Sequence, residues 1–201
     1  MSQLMRVTYV SRSTFKPFGS QSGIEPNVAR ILSQSRRNNM HRNLVGVLYY
    51  GNGCFFQCLE GNSDDIDQLL DSLRRDPRHR DLEILSRESI DYLSFMDWNM
   101  KYVSVDQKVQ ELLKEHSMKR FDPYQFSPEM IKQLVDVFHQ LPEPVSPTEI
   151  EQHAEAAEVL LDSQTAKSRI DRIVAYVLGA IAILGSVFMI NLAMASSGGI
   201  F

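Results

Sequence analysis

Gln57 is the residue whose setting first suggests chemistry. It lies in Phe55-Phe56-Gln57-Cys58-Leu59, the most apolar strand-like run of the chain. Period-two alternation puts it on one face with Phe55 and Leu59. A glutamine on such a face must find hydrogen-bond partners or cost about 1–3 kcal/mol. Its amide offers donors or an acceptor to the same point, depending on its orientation. The plainer alternative is an edge or solvent-facing glutamine. Tyr9 is a second polar group in an apolar setting, on one face with Val7 near the end of a first strand. A buried phenol normally has a partner. Asn39 follows Ser35 at the i+4 step of a helix, on the side that faces a sheet. The alternative for Asn38-Asn39 is a simple helix C-cap. A phenol, a reversible amide and an asparagine around one cavity suit a flat heteroaromatic ligand with donors and acceptors along one edge.

The elements that must position these residues read as follows. Leu4–Ser11 is β-rich, and Pro26 opens a helix whose apolar positions are Val28, Ile31 and Leu32. Leu44–Tyr50 and Cys54–Glu60 are strands joined by Gly51-Asn52-Gly53, a hairpin signal. A second helix starts near Ser63, with Asp64 and Asp65 in its first turn and Ile66, Leu69, Leu70 and Leu73 on its apolar face. Strands near Leu82–Glu88 and Asp97–Val103 follow. The order β-α-β-β-α-β is ferredoxin-like, here with an additional strand, so the class is α+β. Two cap helices come next, from about Asp106 to Glu115 and from Ser127-Pro128 onward. In such a sheet the first and third strands are neighbours, which would bring Tyr9 beside Gln57.

Composition narrows the classes. The 201 residues include 43% apolar and 23% charged, which fits a globular protein rather than a disordered one. A net charge of −4 disfavours a nucleic-acid partner. Two cysteines exclude a disulfide scaffold, and Cys54 and Cys58 stand too far apart along a strand to pair or to share a metal. The histidines show no ligand spacing, so no metal is assigned.

The C-terminal third is different. Residues 142–148 read as a linker with Pro142, Pro144 and Pro147. A helix is expected from Thr148 to Arg172, acidic first and basic last. Ile150, Ala154, Ala157 and Leu161 form a seam at coiled-coil spacing, and a solvated connecting helix is the alternative. From Ile173 to Phe201 no Asp, Glu, Lys, Arg or His occurs. As a helix, 173–195 would reach roughly 34 Å, about the hydrocarbon thickness of a bilayer. A single transmembrane helix is therefore expected there. Lys167, Arg169 and Arg172 before it put residues 1–172 in the cytoplasm by the positive-inside rule. The alternative is a helix buried in an oligomer core. Ala175, Gly179, Ala182 and Ser186 line up as a small-residue stripe, so a homo-oligomer through the tail and cap helices is expected.

The segment from about Leu4 to Tyr102 resembles a BLUF domain, a blue-light sensor that uses FAD. The matching pieces are Tyr9-Val10-Ser11, Ser35-Arg36-Arg37-Asn38-Asn39, Gly46-Val47-Leu48-Tyr49-Tyr50, Phe55-Phe56-Gln57-Cys58-Leu59-Glu60-Gly61, Asp76-Pro77-Arg78-His79 and Trp98-Asn99-Met100. Their order and spacing are specific together. The resemblance implies FAD bound between the first two helices, with Asn39, Ser35, Asn38, Gln57 and Arg78 as binding residues. It implies photoinduced electron transfer from Tyr9 to the flavin and a hydrogen-bond rearrangement of Gln57, by rotation or tautomer change. Trp98 and Met100, two residues apart on one face of the last strand, match the family's output strand; core packing is the alternative for both. Arg78 matches a position that can meet the FAD phosphates, or is a surface arginine in a turn. Departures are Asn43-Leu44-Val45-Gly46 where the family often has Gly-Ile-Thr-Gly, Leu93 or Ser94 where it often has arginine, and Ser72 where it often has a basic residue.

The organisation expected is a BLUF-like domain at 1–104, cap helices at 105–141, a linker and connecting helix at 142–172, and a membrane span at 173–195. The function expected is a membrane-tethered photoreceptor, not an enzyme, that signals to a downstream protein the sequence does not identify. The alternative is a membrane-anchored adaptor that has lost its photochemistry. A small hydrolase of acylphosphatase type is disfavoured: Arg12 is present, but the loop 13–21 lacks the glycines of a phosphate cradle.

Overall fold

The computed structural model of the chain describes residues 3–15, 24–103, 107–143, 146, 148–163 and 165–172. The expected membrane span, 173–195, lies outside these residues. Among the described residues no helix is long and apolar enough to cross a membrane.

The sheet has five strands in the order β4-β1-β3-β2-β5. They are β1 (Leu4–Ser13), β2 (Val45–Gly51), β3 (Cys54–Asn62), β4 (His79–Ser89) and β5 (Lys101–Val103). The β1–β3, β1–β4 and β2–β3 pairs are antiparallel, while β5 adds to β2 in parallel. The α+β, ferredoxin-type fold with an additional strand and C-terminal helices is therefore present. β1 and β3 occupy the middle because they are the runs that bury both faces: every residue of Cys54–Gly61 is buried. Asn52 and Gly53 turn the β2–β3 hairpin with φ of 52° and 75°, the left-handed pair that a two-residue hairpin of this twist requires.

Helices α1 (Pro26–Arg42) and α2 (Ser63–Arg74) cover one face. Glu25 caps α1 by accepting from the Val28 amide at 2.8 Å, and Asn43 ends it in the left-handed conformation with φ 52°. The Asn39 side chain is thus a sheet-facing group inside the last turns of α1, not the cap. Helices α3 (Gln107–Glu115) and α4 (Pro128–Gln140) accompany the opposite face. Ser127 caps α4 through the Met130 amide at 3.2 Å. Each face has its own apolar cluster. Tyr9, Leu48, Phe55 and Leu59 belong to the α1–α2 side. Tyr49, Phe56, Cys58 and Phe138 belong to the α3–α4 side.

Residues 148–163 and 165–172 are helical. Ser146 and Glu149 cap this helix reciprocally: the Glu149 amide donates to Ser146 Oγ at 3.2 Å, and the Ser146 amide donates to Glu149 Oε2 at 2.9 Å. Ile150 and Ala157 are fully buried, and Ile150 joins the cluster of the α1–α2 side. The reading of this start of the helix as solvated is therefore corrected: Ile150 and Ala157 have apolar surface to cover. The described residues from Glu158 on belong to a unit separate from residues up to Ala157.

Gly46 lets β2 lie against β3, because a Cβ there would sit 2.2 Å from the Cys58 carbonyl oxygen. Gly46→Ala is expected to cost about 2–3 kcal/mol of unfolding free energy in urea titrations, the price of forcing two paired strands apart.

Candidate functional site

The pairing of β1 with β3 puts Tyr9 directly opposite Gln57. Both side chains are buried, Tyr9 completely, on the α1–α2 side. Asn39 reaches the same side from α1 and is also fully buried. Its Nδ2 donates to the Asn99 carbonyl at 2.8 Å, which fixes the amide and leaves Oδ1 as the free end. His79, at the start of β4, shares its Nδ1 with Ser11 Oγ at 2.8 Å and stacks near Phe55 with ring centroids 4.7 Å apart.

Among the described residues, four buried polar atoms on this side have no hydrogen-bond partner: Tyr9 Oη, Gln57 Nε2, Asn39 Oδ1 and His79 Nε2. An unmet buried donor or acceptor costs about 1–3 kcal/mol. Leaving four of them would consume much of the stability of a small domain. They comprise a donor amide, an acceptor amide, a phenol and an imidazole, so together they suit one polar-edged partner. The fifth such atom, Asp122 Oδ1, is elsewhere, 3.9 Å from the Arg12 guanidinium.

Burial pushes the Tyr9 phenol well above its ordinary range, with the neighbouring Gln57 amide only partly opposing this. The phenol is therefore neutral at any physiological pH. Burial pushes His79 down to about 4, against the pull of Asp76. The imidazole is neutral too. The phenol and the imidazole are thus both uncharged and suit a neutral ring system.

Between α1 and α2 a groove of about 470 Å³ opens beside these residues. Ile31, Ser35 and Leu69 line it, with Asn38 and Arg78 among its polar groups. Arg78 is tied down: its Nε donates to Asp76 Oδ1 at 2.9 Å and its Nη2 to Gln34 Oε1 at 2.7 Å. Arg30 and Arg75 line the same groove, as does Ser72. The lining is mostly polar, with Ile31, Leu69, Leu73 and Pro77 as its apolar part; His79 belongs to it, whereas Tyr9, Asn39 and Gln57 lie buried outside it. Guanidinium groups along a groove and orphaned polar atoms on the same side of the sheet fit the two ends of a flavin nucleotide. Tyr9, Asn39 and Gln57 would meet the ring, and the arginines the phosphates.

Trp98 and Met100 do not share a face, contrary to the alternation expected for a longer last strand. β5 begins only at Lys101; Phe95–Trp98 form a turn, with the Trp98 amide donating to the Phe95 carbonyl at 3.0 Å, and Asn99 and Met100 bend before the strand. Met100 is buried in the α1–α2 cluster, whereas Trp98 packs against the α3–α4 cluster. There the Lys101 ammonium lies 4.2 Å from the Trp98 ring centroid. Sequence reasoning missed His79, Arg30 and Arg75 as site residues. The signal for His79 was an aromatic polar group at the head of a strand, directly after the Asp76-Pro77 turn. Arg30 lies one residue before Ile31 on a helix, which gave no signal of its own.

Residues 4–101 match the family described as BLUF, sensors of blue-light using FAD. The photoactivated adenylate cyclase subunit beta of Euglena longa is 30% identical over 105 residues, which are 52% of this chain and 12% of that protein. The chain thus corresponds to a small part of that cyclase. Among solved structures, BlsA in its ground state is similar with a TM-score of 0.63 and 26% identity, covering 71% of this chain and 91% of that one. BlrB, a BLUF protein in its dark state, is similar with a TM-score of 0.54 and 25% identity, covering 69% and 97%.

The depressed His79 gives the site a pH signature. Folding lowers the His79 pKa, so the unfolded chain takes up its proton first. The contribution of the neutral imidazole is complete above about pH 6.5 and is lost as pH falls toward 4. Urea titrations between these pH values should show a loss on the order of 3 kcal/mol from this group. His79→Gln should flatten that slope; an unchanged slope would assign the acid sensitivity to other groups.

Proposed function

Since residues 4–101 are a BLUF domain, a family of blue-light sensors that bind FAD, we propose that this chain is a flavin photoreceptor whose light-responsive group is Gln57. The observation that carries the reading is the facing pair of Tyr9 and Gln57, buried together, each with an unpartnered polar atom. FAD, when bound, supplies the absorption of blue light and the capacity to accept an electron.

The chain's own residues supply the rest. Tyr9 is neutral, so loss of an electron from its ring leaves a phenolic proton that must move. The group opposite it on β3 is the Gln57 amide, which can take that proton at Oε1. When the electron returns to Tyr9, Gln57 gives the proton back and is left with its donor and acceptor exchanged. Asn39 cannot exchange in this way, because its Nδ2 is held by the Asn99 carbonyl. It serves as the fixed acceptor that orients the ring, and Gln57 as the movable group. In the low dielectric of a fully buried pocket, either setting of the Gln57 amide is worth a full hydrogen bond. Arg30, Arg75 and Arg78 at the groove hold the phosphates, and Ser35 and Asn38 line the way between them and the ring.

No substrate is consumed in this scheme. The chain acts as a sensor rather than a catalyst, and its output passes to a partner protein or along its C-terminal helix. The uncharged stretch 173–195 tethers it to a membrane, with the sensor on the cytoplasmic side. The small residues of that stretch bring a second copy alongside.

The purified protein is expected to be yellow and, after blue light, to show flavin bands displaced slightly to the red that return in the dark. Gln57→Leu should keep the flavin and lose the displacement; a displacement that survives would remove Gln57 from the mechanism. Asn39→Ala deletes a fixed acceptor and should weaken flavin binding by roughly tenfold in titrations. An unaltered affinity would mean that Asn39 serves only Asn99.

A further inference from the structure

The segment after α4 returns to the α1–α2 side of the sheet, and one carboxylate holds it there. Glu143 accepts a hydrogen bond from the Tyr102 backbone amide at 3.0 Å and pairs with the Arg36 guanidinium. Both charged side chains are mostly buried, 20% exposed for Arg36 and 15% for Glu143. Arg36 also donates from Nε to the Met100 carbonyl at 3.0 Å. β5 is an edge strand, and its Tyr102 amide has no further strand to pair with. Glu143 takes the place of that strand. Three residues on, Ser146 caps a helix, and Ile150, the first apolar residue of that helix, is buried in the cluster that contains Tyr9, Met100 and Tyr102.

Arg36 and Asn39 are one turn apart on α1. Asn39 grips the Asn99 carbonyl and Arg36 the next one, that of Met100. The free end of Asn39 is the acceptor at the pocket. An unbroken series of bonds therefore runs from the pocket through Asn39 and residues 99–102 to Glu143.

We propose that Glu143 is the positioning residue that couples this pocket to the helix beginning at residue 148. While residues 99–102 keep their dark arrangement, Glu143 is bonded on both sides and Ile150 stays docked. A shift of residues 99–102 withdraws the Tyr102 amide from Glu143, and the helix 148–157 loosens at its base. The proposal rests on the photoreceptor reading above.

The test is amide hydrogen exchange of residues 148–157 in the FAD-loaded full chain, in the dark and under blue light, with the flavin spectrum recorded alongside. Wild type should lose protection in the light by roughly tenfold, the weight of one hydrogen bond to a charged group. Glu143→Ala should keep the red displacement of the flavin bands but show low protection in dark and light alike. Arg36→Gln should do the same by a separate route. Glu143→Gln, whose amide oxygen still accepts from Tyr102, should restore part of the light-dependent change. A wild-type protein that shows the spectral change with equal protection in dark and light would overturn the proposal and leave the photoreceptor standing. So would a light-dependent change that survives in Glu143→Ala. No spectral change in wild type would overturn the photoreceptor reading itself, and with it the coupling.

Discussion

The register of β1 against β3 is the constraint on which the rest depends. At that register Tyr9 is opposite Gln57, with Val7 opposite Leu59 and Ser11 opposite Phe55 on the same face. A slip of β3 by one residue would turn Phe55, Gln57 and Leu59 to the α3–α4 side and bring Phe56 and Cys58 into the pocket opposite Tyr9. The hairpin turn at Asn52-Gly53 and the missing side chain at Gly46 hold β2 on β3 and so resist such a slip. The pairing of β3 with β2 is thus fixed by local chemistry at positions remote from the pocket.

The two faces of the sheet divide the labour. The face under α1 and α2 keeps four polar atoms unpaired at a cost that only a bound partner offsets. The face under α3 and α4 is mainly apolar, with Glu60 and Lys101 as fully buried charged residues. Glu60, fully buried, accepts from Arg6 at 2.8 Å, from Ser94 Oγ at 2.6 Å and from the Phe95 amide at 3.3 Å. With its charge so thoroughly met, Glu60 pins the loop that leads to Met100. Residues 94–102 are therefore held from three sides: by Glu60 at their start, by α1 in the middle and by Glu143 at their end.

Much of this was legible in the sequence, for physical reasons. Polar residues in the most apolar strands marked Tyr9 and Gln57, since such groups are expensive without a purpose. The i+4 step from Ser35 placed Asn39 on the sheet side of α1. The Gly51-Asn52-Gly53 run announced the hairpin. What failed was alternation beyond its range. Trp98 and Met100 fit a strand pattern, but Trp98 closes a turn from Phe95 and Asn99–Met100 bend, where period two has no meaning. The docking of Ile150 was likewise hidden, because a seam of one isoleucine, two alanines and one leucine reads the same whether it meets a second helix or the edge of a domain. The pairing of Glu143 with Arg36 spans 107 residues and follows from no local rule.

The claim most in need of a direct test is that the Gln57 amide itself changes between dark and light. Light-minus-dark infrared spectra of the FAD-loaded protein, with and without isotope-labelled glutamine, address it. The account predicts an amide carbonyl band that moves with the label and is missing from Gln57→Leu. A difference spectrum insensitive to the label would contradict it, and would put the light response in a group other than Gln57.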